Sequence, residues 1–233
     1  VRVVLEDGGV PYVDVAVVKQ DGGASVRAGC AAFAPEPEHL TKARPFAPPY
    51  ILLEDGTAIF QTANLILFAG ERAGLVPTDS IGRAKVNQLL LTIADVTAEC
   101  HDTHHPIATH LRYEDQKEEA KDRANAFTRI RMPKFLNFFD ETIRAHGGQH
   151  LLGKECTAAD VCLLHLCLGL EYAFPRAYAA AISSTVALAE LIKTVRARPR
   201  LSRYLESSRR LPFNENGIFR HYAELDLSED SSE

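Results

Sequence analysis

One stretch of the sequence, residues 48–64, constrains the fold more than any other. Two short apolar runs, at 50–53 and 57–60, flank the dipeptide Asp55-Gly56. This dipeptide is typical of two-residue hairpin turns, because glycine accepts the positive φ angle that such turns require. The apolar residues that follow Gln61-Thr62 have helical spacing. The stretch therefore predicts a strand, a tight turn, a second strand and a helix.

The start of this helix is a candidate binding site. A helix start carries unpaired backbone N–H groups and the positive end of the helix dipole, so it favours a bound carboxylate. Gln61 and Thr62 would add side-chain donors there. Before the hairpin lie Pro48 and Pro49, and a bond to proline can be cis at modest cost. Pro48 has no N–H, so only its carbonyl could serve a ligand. The alternative is an ordinary hairpin and helix with a polar cap.

The order of these features resembles the glutathione-binding half of a cytosolic glutathione transferase. That family has Val-Pro with the proline cis, then a hairpin, then Gln-Ser or a close relative of it. Here Pro48 stands in place of the valine and Thr62 in place of the serine. The resemblance implies that Gln61 and Thr62 bind the γ-glutamyl end of glutathione. It also implies that Pro49 is the cis-proline and that Pro48 presents its backbone to the glutathione cysteine.

The resemblance implies an α/β plus all-α fold, in which a thioredoxin-like N-terminal domain is followed by an all-helical C-terminal domain. Residues 1–7 predict a short helix and residues 11–18 a strand, which together are the second half of a βαβ unit. We therefore expect residues 1–73 to form an N-terminally incomplete domain with its first strand absent, and 19–45 to be a loop with one short helix. The family's catalytic Tyr, Ser or Cys lies at the end of that strand, so the catalytic residue is unknown here.

The remainder of the chain has a helical pattern. Glycine and proline residues predict a linker at 74–82, and apolar side chains recur with helical spacing over the all-α domain at 83–227. Thr157 and Asp160 predict a capping box at the start of a nearly all-apolar helix, which should be the buried centre of that domain. This element also matches the family, in which it is structural. The acidic, serine-rich residues 228–233 predict a disordered tail.

Composition excludes several classes of partner. The chain has 233 residues with a net charge of -5, which argues against nucleic acid and against an anionic membrane surface. No apolar run reaches the length of a membrane span. The five cysteines fit neither a disulfide framework nor a zinc site, so we expect reduced thiols and a cytoplasmic location. Cys30 lies in the predicted loop and is given little weight as a nucleophile.

Four further residues take their candidate roles from the resemblance. Asp95 stands where several family classes have an aspartate that reaches across the dimer to the glutathione amino group, and a plain surface acid is the alternative. Lys42 and Arg44 would contact the glycyl end of glutathione, unless they are ordinary surface charges. Tyr113 would assist the electrophilic substrate, although a tyrosine at a helix end is more often packed with its hydroxyl in water.

A histidine-rich segment follows the first helix of the all-α domain and contains His101, His104, His105 and His110. His101 and His105 are four residues apart, so both could meet one metal ion on a helix face. No glutamate is placed as in a His-Glu-x-x-His motif, and Pro106 disturbs the helix. We therefore predict no metal and expect surface or cleft-edge side chains, with His105 in the substrate cleft.

The activity implied by the resemblance is that of a glutathione transferase, of the kind used in detoxification. Glutathione would be the co-substrate, and its thiolate would attack a small hydrophobic electrophile in a cleft of a homodimer. Two alternatives stay open: a glutathione-transferase-like binding or scaffold module without turnover, and a glutathione-dependent isomerase or dehalogenase. No motif encodes the second substrate.

Overall fold

The computed structural model describes residues 1–14, 17–20, 23–26 and 45–228. Lys42, Arg44 and Cys30 therefore lie outside the described residues, as does most of the predicted loop at 19–45.

The N-terminal part begins with helix α1 (Arg2–Gly8), which ends at Gly9 in a left-handed conformation with φ 67°. The strand predicted at 11–18 is only partly right, because β1 spans Val17–Gln20. Residues 11–14 are irregular: Tyr12 and Asp14 bond back to side chains of α1. A second correction concerns the predicted loop, since β2 (Gly23–Val26) pairs antiparallel with β1.

The central hairpin consists of β3 (Tyr50–Leu52) and β4 (Ala58–Phe60), which are antiparallel with Ile51 opposite Ile59. The expected two-residue turn is wrong. The Leu53 N–H donates to the Thr57 carbonyl at 2.9 Å, so the connection has three residues, and Gly56 takes the positive φ of 76°. A three-residue loop with glycine in the left-handed region is the next most common hairpin connection.

Helices form most of the rest of the described chain. Their bounds are α2 Thr62–Arg72, α3 Ser80–Asp102, α4 Lys117–Ala126, α5 Met132–Ala145, α6 Ala158–Ala173, α7 Pro175–Ile182, α8 Val186–Arg196 and α9 Pro199–Leu205. A π-helical turn at Phe127–Arg131 separates α4 from α5. It precedes Pro133, which cannot donate an intrahelical hydrogen bond.

Helix α6 is the centre of the core, as its apolar sequence predicts. From Val161 to Leu170 all but three of its residues are buried, and it packs against α3 and α8. Asp160 holds the start of this helix: its carboxylate accepts hydrogen bonds from the Thr157 N–H at 2.7 Å and the Leu151 N–H at 2.8 Å. The predicted capping box is therefore confirmed.

The C-terminal segment after α9 is irregular but is packed on the helices. The ring of Phe219 lies on Gly169 of α6, where a Cβ atom would come within 2.5 Å of it. Asp226 caps α7 by accepting from the N–H groups of Arg176 and Ala177 at 2.8 and 3.0 Å. This segment therefore runs back along the helical part of the chain.

Among the described helices, none is by itself both long and apolar enough to cross a membrane. The pair Pro175–Ile182 and Val186–Arg196 meets the length and composition of a span only when taken together, and it is bent by 114°.

Candidate functional site

A small pocket of about 80 Å³ lies at the start of α2. Its lining brings together four residues singled out from the sequence, with three apolar neighbours: Pro48, Pro49, Gln61 and Thr62, with Phe46, Ala47 and Phe60. The bond between Pro48 and Pro49 is cis, as the resemblance predicts. Gln61 has a positive φ of 70°, a conformation that few residues other than glycine adopt.

The backbone at this pocket is suited to an anion. The first hydrogen bond within α2 runs from the Leu65 N–H to the Gln61 carbonyl at 2.8 Å, so the N–H groups before Leu65 have no helical partner. The first turn of α2 has no acidic residue, and within the described residues no side chain caps it. Gln61 and Thr62 are exposed. A carboxylate placed here would therefore meet backbone donors, two polar side chains and the positive end of the helix dipole.

A larger pocket, of about 390 Å³, lies elsewhere, between α3 and α5. It is lined by Lys85, Gln88, Leu89, Phe138, Glu141, Thr142, Ala145, His146 and Leu152, none of which was predicted as a site residue. Thr142, Ala145 and His146 belong to the C-terminal end of α5, where the helix dipole is negative. We therefore favour the smaller pocket at α2 for an anionic ligand.

Asp95 is exposed near the middle of α3 and is not part of either pocket. Leu91 lies one turn earlier on the same face of the helix and is 50 % exposed. Within one chain the structure therefore does not bring Asp95 to the Gln61 pocket.

Tyr113 is buried, with only 3 % of its surface exposed. Its hydroxyl donates to Glu224 Oε1 at 3.0 Å, and its ring stacks on Tyr222 with 3.8 Å between centroids. Burial and the Glu224 carboxylate raise the pKa of this hydroxyl above its ordinary value. The expectation of a hydroxyl in water is wrong, because Tyr113 is tied to the C-terminal segment.

His104 corrects the expectation of surface histidines, because only 1 % of it is exposed. Its Nε2 donates to the Ile218 carbonyl at 2.9 Å, and burial lowers its pKa to about 4. His101 and His105 are half-buried and stack with 4.8 Å between ring centroids. Gln116 Nε2 donates to His105 Nδ1 at 3.3 Å. His101, His104 and His105 therefore form a compact cluster, and its buried member is hydrogen-bonded to a carbonyl 114 residues away.

The described cysteines are free thiols. Burial raises the pKa of Cys162 to about 11 and that of Cys167 to about 12. A thiol of such high pKa is a poor nucleophile at neutral pH.

Comparison with known proteins gives a family for part of the chain and a fold for the whole. Residues 101–208 match a family model described as "Glutathione S-transferase, C-terminal domain". Similar solved structures include prostaglandin synthase D of Nilaparvata lugens, with a TM-score of 0.66 and 16% identity over 91% of this chain and 92% of that one.

Two further structures are similar to the same extent. The Pi-class glutathione S-transferase of Onchocerca volvulus has a TM-score of 0.64 and 15% identity over 93% of this chain and 91% of its own. The glutathione S-transferase of Ascaris lumbricoides has a TM-score of 0.61 and 19% identity over 91% and 92%. No curated protein matches the sequence. Identities this low show the fold alone, and they confirm the predicted thioredoxin-like domain followed by an all-helical one.

Proposed function

We propose that the chain conjugates glutathione to a hydrophobic electrophile, because residues 101–208 match the model of the glutathione S-transferase C-terminal domain and the chain has the fold of those enzymes. The observation that carries the proposal is the pocket at the start of α2, where the cis Pro48-Pro49 bond lies beside Gln61 and Thr62. A cytoplasmic location and a role in detoxification belong to the same proposal.

The pocket offers complementary groups to glutathione. Its γ-glutamyl carboxylate would sit at the start of α2 and accept hydrogen bonds from backbone N–H groups and from the side chains of Gln61 and Thr62. The Pro48 carbonyl would accept from the N–H of the glutathione cysteine. Pro48 has no N–H to donate to the glutathione cysteine, so this contact has one hydrogen bond fewer than in a chain with valine at that place.

The chemistry would follow from the thiol of the bound glutathione. A hydrogen bond or dipole that stabilises the thiolate lowers the pKa of the thiol, and the thiolate then attacks the electrophile. Holding the two reactants together supplies much of the rate increase. The residue that stabilises the thiolate is not assigned in this chain, and neither His105 nor Tyr113 is placed in that role. Their proposed place is at the border of the electrophile cleft.

The same proposal includes a homodimer. Leu91 and Asp95 share an exposed face of α3, and this is the face that we propose contacts the partner. In a dimer built on this face, Asp95 would approach the amino group of the glutathione bound to the partner, as an oppositely charged pair.

A second candidate function is a binding module without turnover. It is favoured by the missing N–H of Pro48 and by the Tyr113 hydroxyl, which is already bonded to Glu224. A glutathione-dependent isomerase or dehalogenase is a third chemistry on the same fold, and one similar structure carries the name prostaglandin synthase. Binding and turnover measured on the same preparation separate these possibilities.

The test is glutathione titration by calorimetry on the wild type and on Gln61→Ala/Thr62→Ala. Loss of two donors to a carboxylate should weaken binding by about 10- to 100-fold. The matched control is Gln88→Ala/Thr142→Ala, which removes the same two side-chain types from the larger pocket and should change the affinity less than about 2-fold. Equal losses in both variants, or no binding by the folded wild type, would refute the glutathione site.

Turnover is then assayed with an activated aryl halide as the electrophile. Conjugation that falls in parallel with glutathione affinity supports the transferase. Tight glutathione binding without conjugation, isomerisation or dehalogenation supports the binding module instead.

A further inference from the structure

Three histidine rings meet at the end of α3. The ring centroids of His101, His104 and His105 are 4.8 to 4.9 Å apart in all three pairs. One ring nitrogen of each histidine lies within 4.8 Å of the corresponding nitrogens of the other two. The three side chains therefore point into one small volume.

The backbone explains why they meet. After Asp102 the helix tightens: the Thr103 N–H donates to the Cys100 carbonyl and the His104 N–H to the His101 carbonyl, both at 3.2 Å. Residues three and four positions after His101 then lie on the same face as His101. The Thr103 hydroxyl holds this turn by donating to the Cys100 carbonyl at 2.7 Å.

His104 is oriented like a metal ligand. A carbonyl only accepts, so the bond to Ile218 fixes the proton on Nε2 and leaves a lone pair on Nδ1. That Nδ1 is buried, and in the part of the chain that the structure describes it has no hydrogen-bond partner. Histidines that bind metals usually donate their other ring N–H to a carbonyl or carboxylate in this way. Packing does not explain a buried nitrogen with a free lone pair on a ring whose centroid is 4.9 Å from those of two other imidazoles.

The surroundings of the cluster are mixed in charge. Burial and the positive charge of Arg220 lower the pKa of all three histidines, and the negative charge of Asp102 acts to raise the pKa of His101 and His105. Gln116 Nε2 and the Leu111 carbonyl are the hydrogen-bond partners of the His105 ring, so a metal ion would take the place of the Gln116 contact at this ring.

We propose that His101, His104 and His105 form a binding site for a divalent transition metal of the Zn²⁺ type. Three imidazoles without a thiolate or carboxylate select Zn²⁺, Cu²⁺ or Ni²⁺ over Mg²⁺ and Ca²⁺. Tetrahedral coordination with Zn–N bonds of about 2.0–2.1 Å needs nitrogens roughly 3.4 Å apart, which small ring rotations bring about. The fourth position is open to water or another small ligand.

Such a metal would link two distant parts of the chain. The Ile218 carbonyl that orients His104 belongs to the C-terminal segment, whose Tyr222 ring lies 6.3 Å from that of His104. Metal binding at the end of α3 would therefore favour the docked position of this segment. The site shares no residue with the glutathione pocket, and only His105 is shared with the proposed border of the electrophile cleft. Metal binding is measured without glutathione or electrophile, so its failure is distinguishable from failure of the proposed function.

The experiment uses the full chain without an affinity tag and Co²⁺ as an optical probe, displaced by Zn²⁺. We expect one Co²⁺ per chain with the intense visible bands of tetrahedral coordination. His101→Ala/His105→Ala should weaken binding by at least about 100-fold, since two of three ligands are lost. The matched control is His110→Ala/His146→Ala, which removes two exposed histidines outside the cluster and should change the affinity less than about 3-fold.

His101 and His105 are only half-buried, so these variants should keep the fold, and circular dichroism verifies it. His101→Gln alone, which keeps a polar side chain, should still weaken binding by about 10-fold or more. A second cluster, His150, Cys156 and Asp160, is the competing site for the metal. We expect it to stay empty, because its aspartate oxygens already accept hydrogen bonds from Leu151 and Thr157. A cobalt–thiolate absorption band lost in Cys156→Ser, equal affinity in both histidine pairs, or less than stoichiometric binding would each overturn the proposal.

Discussion

Replacement of Asp160 by alanine should strongly destabilise the protein. Asp160 is fully buried, and its carboxylate accepts three hydrogen bonds: one from Leu151 N–H at 2.8 Å, and two of 2.7 Å from the N–H and the hydroxyl of Thr157. These bonds fix both the start of α6 and the loop before it. Because α6 is the centre of the core, its N-terminus cannot fray without disturbing its neighbours.

The magnitude follows from the donors left behind. Asp160→Ala leaves two buried backbone N–H groups unpaired, at about 1–3 kcal/mol each. It also removes a negative charge from a helix N-terminus, which contributes roughly 0.3–1 kcal/mol. The alanine avoids the cost of burying a carboxylate, so we expect a net loss of about 3–5 kcal/mol in the free energy of unfolding. For a chain of this size that corresponds to a melting temperature lower by roughly 6–20 °C.

Thermal melts followed by circular dichroism, with urea unfolding in parallel, measure the effect. The control is Thr157→Val, which removes the capping hydroxyl but keeps both backbone donors paired with Asp160, and it should cost about 0.5–2 kcal/mol. The reasoning is refuted by an Asp160→Ala loss below about 1 kcal/mol, or by a Thr157→Val loss as large as that of Asp160→Ala.

Three other changes probe the partner face, the C-terminal segment and an ion pair. Leu91→Glu places a charge on the exposed face of α3 and should weaken a homodimer by about 10-fold or more in analytical ultracentrifugation, and unchanged association would move the interface elsewhere. Gly169→Ala puts a methyl group within 2.5 Å of the Phe219 ring and should cost about 1–3 kcal/mol in urea unfolding, whereas an unchanged midpoint would show that the ring moves freely. The Arg131 guanidinium lowers the pKa of Glu99 below its ordinary 4.5, so this pair stabilises the fold fully above that pH and progressively less as pH falls through the lowered pKa. Arg131→Met should therefore flatten the loss of stability below about pH 4.5, and an unaltered pH profile would contradict the assignment.

The sequence predicted those features whose cause is local. The hairpin before α2, the helical spacing of α6 and the capping box at Thr157 and Asp160 each depend on residues within a few positions of one another, and the structure contains all three. The wrong prediction near these elements concerned the length of one turn. The turn at Gly56 has three residues where two were expected, since a glycine with positive φ suits both loop lengths.

The candidate pocket was predicted for the same reason. Gln61 and Thr62 precede a helix, and the donors of a helix start follow from backbone geometry alone. The partners of Pro48 and Pro49 in that pocket come from the adjacent hairpin, whose strands were visible as apolar runs. Nothing in the local pattern indicated the larger pocket between α3 and α5, because it lies between helices that are distant in sequence.

The sequence by itself determined the hairpin before α2, the helical character of the chain after it, the buried character of α6 and the polar start of α2. Local spacing, turn residues and caps decide such features before the chain is compact. Only the tertiary structure decided that His104 is buried against the Ile218 carbonyl and that the Tyr113 hydroxyl meets Glu224. Those partners lie 114 and 111 residues away, and which side chains lose water depends on how the C-terminal segment packs back on the helices.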